Sequence, residues 1–104
     1  MRKVAAHKVY FTQRDYLINQ IVEITNSNIL AIRELRHEEA MTEWLSGVIV
    51  LTDKSDLNVN SINKISDFFT DDNHVKSTTI YAWHIADFDH DSELILTKNI
   101  SLIT

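Results

Sequence analysis

The chain has no cysteine, no proline and a single glycine in 104 residues. Without cysteine it has no disulfide framework, no thiol catalysis and no thiolate metal site. Because glycine and proline normally punctuate a chain, the turns must depend on Asn, Asp and Ser, which tolerate left-handed backbone and bond their own main chain. Clusters of these residues predict turns at 25–28, 53–56, 71–74 and 87–92.

Long apolar runs and clusters of basic residues are also absent. No run approaches the roughly 20 residues of a bilayer-spanning helix, and His7 and Lys8 follow the first residues too soon for a signal-peptide core. The net charge of -5 argues against nucleic acid, whose phosphates require clustered cations. Residues 53–104 carry four basic and nine acidic side chains, which does not suit an anionic membrane surface. We therefore expect a cytoplasmic protein that binds neither nucleic acid nor membrane.

The overall composition is that of an ordinary globular domain. Hydrophobic residues make up 44% of the chain and charged residues 24%, so a modest core can form without a metal or disulfide. A length of 104 residues leaves little room for a second core. We expect residues 1–104 to form a single domain.

Segments rich in β-branched and aromatic residues predict a mainly β fold. The predicted strands cover residues 3–11, 17–24, 29–35, 44–51, 78–86 and 93–103. The second and third are joined by the turn at 26–28 as a hairpin, and alternation places Ile18, Val22 and Ile24 on one side of the second. The continuous apolar run 48–51 fits a strand buried on both faces. Gly47 marks a bend or a close approach at the start of that run.

One short α-helix is predicted near residues 61–69. Its apolar stripe, formed by Ile62, Ile65, Phe68 and Phe69, is typical of a face that packs on the core. The predicted architecture is therefore a small β-sandwich or curled sheet with one short α-helix.

The order of these segments resembles a known family. A short Val/Ala strand at 2–7, a hairpin strand at 19–24, an Asn turn, a strand at 29–32 and the segment 44–51 look like the opening of metal-dependent amidohydrolases. In that family the chain enters through a small β-sandwich, the composite domain, and its last strands return after the catalytic barrel. The resemblance covers about the first half of the chain. It implies that segments 78–86 and 93–103 close the sandwich.

The same resemblance implies no activity. In the family, the segment matching 47–50 is followed by Pro-Gly and a His-x-His metal pair, whereas here Leu51, Thr52, Asp53 and Lys54 follow. The remaining residues are also too few for a barrel of roughly 250 residues. No catalytic residue is carried over from the family.

An acidic segment near the C-terminal end holds the candidate metal ligands. Its imidazole and carboxylate groups would hold a divalent cation if the loop curls: His84, Asp87, Asp89, His90 and Asp91. The spacing of the aspartates matches the opening of a calcium loop, but Ser92 replaces the turn glycine and Lys98 the bidentate Glu. A solvated hairpin tip is the alternative, which we favour, and we expect no cofactor.

No pattern in the sequence indicates catalysis. There is no Gly-x-Ser-x-Gly elbow to expose a nucleophile and no glycine-rich turn to cradle phosphate. The five histidines are scattered among different segments. We therefore expect that the protein is not an enzyme.

Aromatic residues supply the candidate interface, namely Tyr81, Trp83 and Trp44. Alternation puts Tyr81 and Trp83 on one side of the strand 78–86, and Ala82 and His84 on the other. Both sides are largely apolar, which favours a central strand between two packed layers. The alternative is that Tyr81 and Trp83 build a dimer contact.

These observations favour a noncatalytic module that binds another protein or a second copy of itself as a homodimer. The alternative from a different class is a metal- or small-molecule-binding module that uses the loop from His84 to Asp91.

Overall fold

The computed structural model describes residues 1–36, 40–69 and 79–104. Nine strands lie in these ranges: β1 (Arg2–Tyr10), β2 (Tyr16–Thr25), β3 (Asn28–Glu34), β4 (Thr42–Trp44), β5 (Val48–Thr52), β6 (Tyr81–Ile85), β7 (Phe88–Asp89), β8 (Leu94–Ile95) and β9 (Ile100–Leu102). The prediction of a mainly β fold is confirmed. The predicted turn at 71–74 and the first residue of the predicted strand 78–86 lie outside the described residues.

Seven strands form one mixed sheet in the order β3-β2-β1-β5-β6-β9, with β4 also paired to β1. Strand β1 pairs along one edge with β2, antiparallel. Its other edge is parallel to β4 at Lys3–Ala5 and to β5 at Lys8–Tyr10. Strands β6 and β9 add antiparallel partners beyond β5, and β7 and β8 form a separate hairpin.

The hairpin predicted at 26–28 is present. Asn26 and Ser27 have φ angles of 51° and 69°, so both central residues are left-handed, as in the primed turns whose twist matches the flanking strands. Asparagine tolerates this conformation better than most residues. A turn without glycine is therefore built by short polar side chains, as the composition requires.

The strand predicted over 44–51 is split by a bend. Strand β4 ends at Trp44, β5 begins at Val48, and Gly47 between them has a φ of 75°. The prediction of a bend or close approach at Gly47 is confirmed. Because of the bend, β1 pairs along one edge first with β4 and then with β5.

The sheet curls so that β3, the strand at one end of the sheet order, approaches the start of β6. The amide of Ile29 donates a hydrogen bond to the carbonyl of Ile80 at 3.0 Å. The concave side holds one core cluster, formed by Val4, Ala6, Val9, Val22, Ile24, Ile49, Leu51, Ala82 and Ile103. The sheet is therefore curled around this cluster.

A second core cluster lies on the outer face of β5 and β6. It comprises Tyr10, Val48, Val50, Ile62, Ile65, Phe68, Trp83, Ile85, Phe88 and Ile100. All five residues of β5 are buried. Val48 and Val50 belong to this cluster and Ile49 and Leu51 to the other, while the Thr52 hydroxyl donates to the Phe68 carbonyl. The prediction of a strand buried on both faces is confirmed.

The α-helix predicted over 61–69 is wrong. The chain instead forms two 3-10 helices, Val59–Ser61 and Ile65–Phe68. Helical segments this short are marginal as α-helices, and the backbone at Ile62 and Lys64, between the two 3-10 helices, is extended. The apolar stripe nonetheless packs on the core as predicted. In the described ranges, no helix has the length and apolar character needed to cross a membrane.

Candidate interaction surface

Strand β3 is an apolar strand with no buried residue. Residues 29–32 are Ile, Leu, Ala and Ile, yet every position of the strand is exposed or half-buried. Leu30 is 58% exposed and Ile32 40%. Most soluble proteins shorten, charge or cover such a strand at a sheet edge, because it pairs readily with another chain. We call residues 30–34 the β3 edge.

The β3 edge lies at the end of the sheet, and its backbone groups alternate between facing β2 and facing away from it. The amide of Leu35 donates to the carbonyl of Asn19 at 2.8 Å, which fixes the residues of β3 that bond to β2. Hydrogen bonding alternates along an antiparallel pair, so Arg33 also faces β2, whereas Ile32 and Glu34 direct their amides and carbonyls away from it. Within the described ranges, no strand pairs with that outer side.

The charges near the β3 edge are compensated within the chain. Arg33 Nε lies 2.9 Å from a Glu23 carboxylate oxygen, and Arg36 Nε lies 3.2 Å from one of Glu34. The Arg36–Glu34 pair is largely exposed and adds little stability, whereas Glu23 is half-buried. The effect of the two pairs is that the edge carries apolar side chains without a strong excess of either charge.

Of the predicted aromatic interface residues, Trp83 lies in the core. It is 4% exposed, its ring packs against Phe68 with centroids 6.1 Å apart, and its Nε1 donates to the Lys54 carbonyl at 2.9 Å. Strand β6 is therefore a central strand packed on both faces, which is the interpretation that the sequence favoured. The alternative of a dimer contact at Trp83 stays a prediction.

Tyr81 and Trp44 remain partly accessible but lie in different places. Tyr81 is half-buried and pairs with Thr52 at the far end of β5. Trp44 is 56% exposed on β4, where it pairs with Ala5 near the start of β1. The structure does not bring the predicted interface residues together into one surface.

The candidate metal ligands are engaged in holding local structure. The carboxylate of Asp87 accepts a hydrogen bond from the Thr97 hydroxyl at 2.6 Å, and His84 Nε2 lies 2.6 Å from the Ser46 carbonyl oxygen. In the ranges that the structure describes, which include all five candidates, no three His, Asp or Glu side chains form a group that could hold a metal ion.

Asp89 has a similar role in the turn between β7 and β8. Its carboxylate accepts hydrogen bonds from the Ser92 hydroxyl at 2.7 Å and from the Asp91 amide at 3.0 Å. The Ser92 hydroxyl first, and then the backbone amides, lower the pKa of Asp89 below its ordinary value. These bonds fit the solvated hairpin tip that we favoured.

His90 joins the β7–β8 hairpin to β1. Its ring packs edge-on against both His7 and Phe88, with centroids 5.4 Å apart in each case. Lys8 Nζ donates to the His90 carbonyl at 3.5 Å. The His90 Nδ1 atom is buried and has no hydrogen-bond partner among the described residues. Burial, and then the charges of Lys8 and His7, lower the pKa of His90.

Tyr10 makes the second connection between β1 and this hairpin. Its hydroxyl donates to a Glu93 carboxylate oxygen at 2.7 Å. Burial, followed by the Glu93 carboxylate, raises the pKa of Tyr10. Tyr10 also packs against Tyr16, over whose ring Lys8 Nζ lies at 4.5 Å. A hydroxyl whose proton is held this firmly is a structural donor rather than an activated nucleophile.

Acidification is expected to destabilise the protein through His90. Its folded pKa lies below the ordinary value of 6.5, so the unfolded chain binds a proton more readily. The stabilising contribution is present above that value and is lost as pH falls towards the folded pKa. Urea unfolding at several pH values between neutrality and about pH 5, above the carboxylate range, measures this loss.

A His90→Leu variant is the control, because it removes the titrating ring and keeps an apolar side chain. Its unfolding free energy should depend less on pH over the same range. The groups that face His90 are His7 and Lys8 from β1 and Asp89 and Asp91 from the hairpin. An equal slope for the variant would assign the pH dependence to those neighbours instead.

An open groove lies beside the N-terminus. It has a volume of about 620 Å³ and is lined by Met1, Arg2, Lys3, Met41, Thr42 and Glu43. Arg2 and Glu43 form a bidentate ion pair, with nitrogen–oxygen distances of 2.6 and 3.0 Å, which lowers the pKa of Glu43. Ligand pockets are usually enclosed around converging polar groups, whereas these two charged groups satisfy each other.

Comparisons of the chain with protein-family models, with curated proteins and with solved structures found no match. The resemblance to the amidohydrolase sandwich therefore stays a prediction.

Sequence reasoning missed the β3 edge as a functional candidate. It placed a strand at 29–35 but named no residue of that strand as an interface candidate. The unbroken apolar run 29–32 beside a hairpin turn could have indicated this edge. A strand with apolar residues on both faces must be packed on both faces, and any face left unpacked is exposed to water.

Proposed function

We propose that this protein is a noncatalytic interaction module that self-associates through the β3 edge. The observation that carries the proposal is the exposed apolar strand at the end of the sheet, with Ile32 and Glu34 directing backbone groups outward. Pairing satisfies those groups and removes Leu30 and Ile32 from water, which is the main driving force in association.

Two expectations from the sequence belong to the same proposal. One is a cytoplasmic location without nucleic-acid or membrane partners. The other is descent from an amidohydrolase-like sandwich. The pairing of β6 with β5 and of β9 with β6 supports this descent, because the element order requires the last segments to return to the first sheet.

Sedimentation velocity over a wide range of protein concentration tests the proposal. The wild-type mass should rise from the monomer value of 12.1 kDa towards twice that value. An Ile32→Lys variant should dissociate at concentrations at least about tenfold higher, because it places a charge in the paired edge. Circular dichroism should show the same strand signal for both proteins, since Ile32 is exposed in the monomer.

Leu96→Lys is the matched control. Leu96 is also exposed, but it follows β8, which belongs to the separate β7–β8 hairpin and not to the sheet that contains β3. This variant should associate like the wild type. A wild-type protein that stays monomeric at every concentration, or an Ile32→Lys variant that associates as strongly as the Leu96→Lys variant, contradicts the proposal.

A further inference from the structure

We propose that residues 87–97 form a latch that is closed over β1 near neutral pH and opens in mild acid, when His90 takes up a proton. The latch carries the β7–β8 hairpin and lies between β6 and β9 in the chain. The side chains that fasten it lie on β1, so its opening does not depend on self-association at the β3 edge.

The two ends of the latch meet at a closed base. Strand β6 pairs with β9, and next to that ladder the Ala86 amide donates to the Asn99 carbonyl at 3.0 Å. The chain therefore leaves the sheet and returns to it at one point. Strands β7 and β8 pair with each other and, within the described residues, with no strand of the main sheet. The latch can therefore move without breaking a ladder of that sheet.

Lys98 fixes the returning end of the base. Its Nζ atom donates to the Ile62 carbonyl and, at 2.6 Å, to the Asn63 Oδ1 atom. The preceding residue, Thr97, donates its hydroxyl to the Asp87 carboxylate at 2.6 Å across the neck of the latch. The hinges therefore lie at Asp87 and Thr97, and the motion is confined to the residues between them.

Few buried side chains hold the latch down. Phe88 is the only buried residue of the latch, all of which the structure describes, and Ile95 is half-buried against the same core cluster. Leu94 and Leu96 are exposed. Segments with few buried apolar contacts open at a lower free energy than the whole molecule. Opening of the latch therefore costs less than global unfolding.

His90 and Glu93 fasten the latch to β1. The His90 ring packs edge-on against His7, with centroids 5.4 Å apart, and the His90 carbonyl accepts a hydrogen bond from Lys8 Nζ at 3.5 Å. The Tyr10 hydroxyl donates to a Glu93 carboxylate oxygen at 2.7 Å. One of the two fastening residues is therefore a titratable ring that is held beside a lysine.

A doubly protonated His90 ring does not suit the closed latch. Its buried Nδ1 atom would become an N–H donor, and that atom has no hydrogen-bond partner among the described residues. The new charge would also face Lys8 and His7 on β1. Asp89 and Asp91 attract it, but both lie on the latch and move with His90. Opening therefore removes the repulsion and keeps the attraction.

The direction of the pH effect follows from the two states. Burial, and then the charges of Lys8 and His7, lower the pKa of His90 in the closed latch. In the open latch the ring is in water, and its pKa returns towards 6.5. The open form therefore binds the proton more tightly. The ratio of open to closed latch rises as pH falls below the ordinary value, by at most about tenfold per pH unit for one proton.

Native-state hydrogen exchange tests the latch, because it detects rare openings amide by amide. The amides of Glu93 and Leu96 are the reporters, since they donate to carbonyls within the latch at 2.7 and 3.0 Å. A two-stranded hairpin on its own is marginal in water, so these bonds are lost once the latch leaves β1. The Ile103 amide, which donates to a carbonyl of β6, reports on the sheet.

Protection factors are compared at neutral pH and at about pH 5, above the carboxylate range, with EDTA present to remove metal ions. Those of Glu93 and Leu96 should lie at least about tenfold below that of Ile103 at both pH values. They should fall at least about threefold between neutral and acidic pH. Low concentrations of urea should leave them unchanged, because opening exposes little surface.

Three variants assign the effect. His90→Leu keeps an apolar side chain but takes up no proton, so its latch amides should keep their protection in acid. Lys8→Met keeps the aliphatic stem and removes the charge beside His90, so the fall should be smaller. His84→Gln is the matched control, because it removes a histidine outside the latch and keeps a donor for the Ser46 carbonyl. It should behave like the wild type.

The contrary outcomes are distinct. If the latch amides are protected as strongly as Ile103, residues 87–97 open only when the whole protein unfolds, and the latch is wrong. Equal wild-type protection at both pH values contradicts the pH dependence. A His90→Leu variant that loses protection in acid as the wild type does overturns the role of His90. None of these results bears on self-association, which sedimentation tests separately.

Discussion

Replacing Gly47 with alanine is expected to lower the free energy of unfolding by about 4 kcal/mol or more, enough to leave much of the protein unfolded. A Cβ atom at this position would lie 1.9 Å from the Ile85 carbonyl oxygen and 2.8 Å from that of Ala86. Both atoms belong to the backbone, so no side-chain rotation relieves the clash. The φ of 75° adds strain for any residue other than glycine.

Thermal unfolding followed by circular dichroism measures this effect. Ser46→Ala is the neighbouring control, because Ser46 uses its backbone carbonyl, and not its hydroxyl, to contact His84. Its free energy of unfolding should change by no more than about 0.5 kcal/mol. If Gly47→Ala melted at the wild-type temperature, the close approach of this bend to β6 would be wrong.

Gly47 also shows which parts of the fold could be predicted from the sequence. In a chain with one glycine, that glycine is expected at a position where a side chain does not fit. The apolar run that follows Gly47 predicts a buried strand. The hairpin at Asn26 and Ser27 was predictable for a related reason, because short polar side chains between two β-rich segments indicate a turn. Local pattern was sufficient for these elements.

Local pattern failed where tertiary packing decides the conformation. The apolar residues at 61–69 are spaced so that they would share one face of either an α-helix or a 3-10 helix. The short length of the segment and its packing on β5 and β6 select the 3-10 form. On β2, alternation placed Ile18 with Val22 and Ile24. Asn19, within β2, adopts a left-handed φ of 52°, and Ile18 beside it is exposed, whereas Val22 and Ile24 are buried.

Predicting the candidate surface required knowledge of the strand order in the sheet. Trp83 and Ile32 both belong to apolar strands, and the sequence analysis named only the tryptophan as an interface candidate, while favouring a central strand for it. The sheet order places β6 between β5 and β9, and β3 at the end. Which strand is central and which is an edge is set by long-range pairing, so it cannot be derived from the residues of either strand by themselves.

Replacing Phe68 with alanine is expected to lower the free energy of unfolding by about 3 to 5 kcal/mol. Phe68 is fully buried in the outer core cluster, against Trp83. Its carbonyl accepts a hydrogen bond from the buried Thr52 hydroxyl at 2.9 Å, which ties the second 3-10 helix to the end of β5. The loss of the ring leaves a cavity beneath that helix, and the curled sheet cannot close over it.

Urea unfolding measures the loss, and the fluorescence of the two tryptophans indicates where it occurs. Trp83 is buried beside the deleted ring and Trp44 is exposed, so a red shift in the native emission reports water reaching Trp83. Phe11→Ala is the control, since Phe11 is exposed, and it should cost less than about 1 kcal/mol. If the two alanine variants were equally stable, packing of Phe68 against β5 and β6 would not stabilise the protein. A different segment would then have to shield that face of β5 and β6 from water.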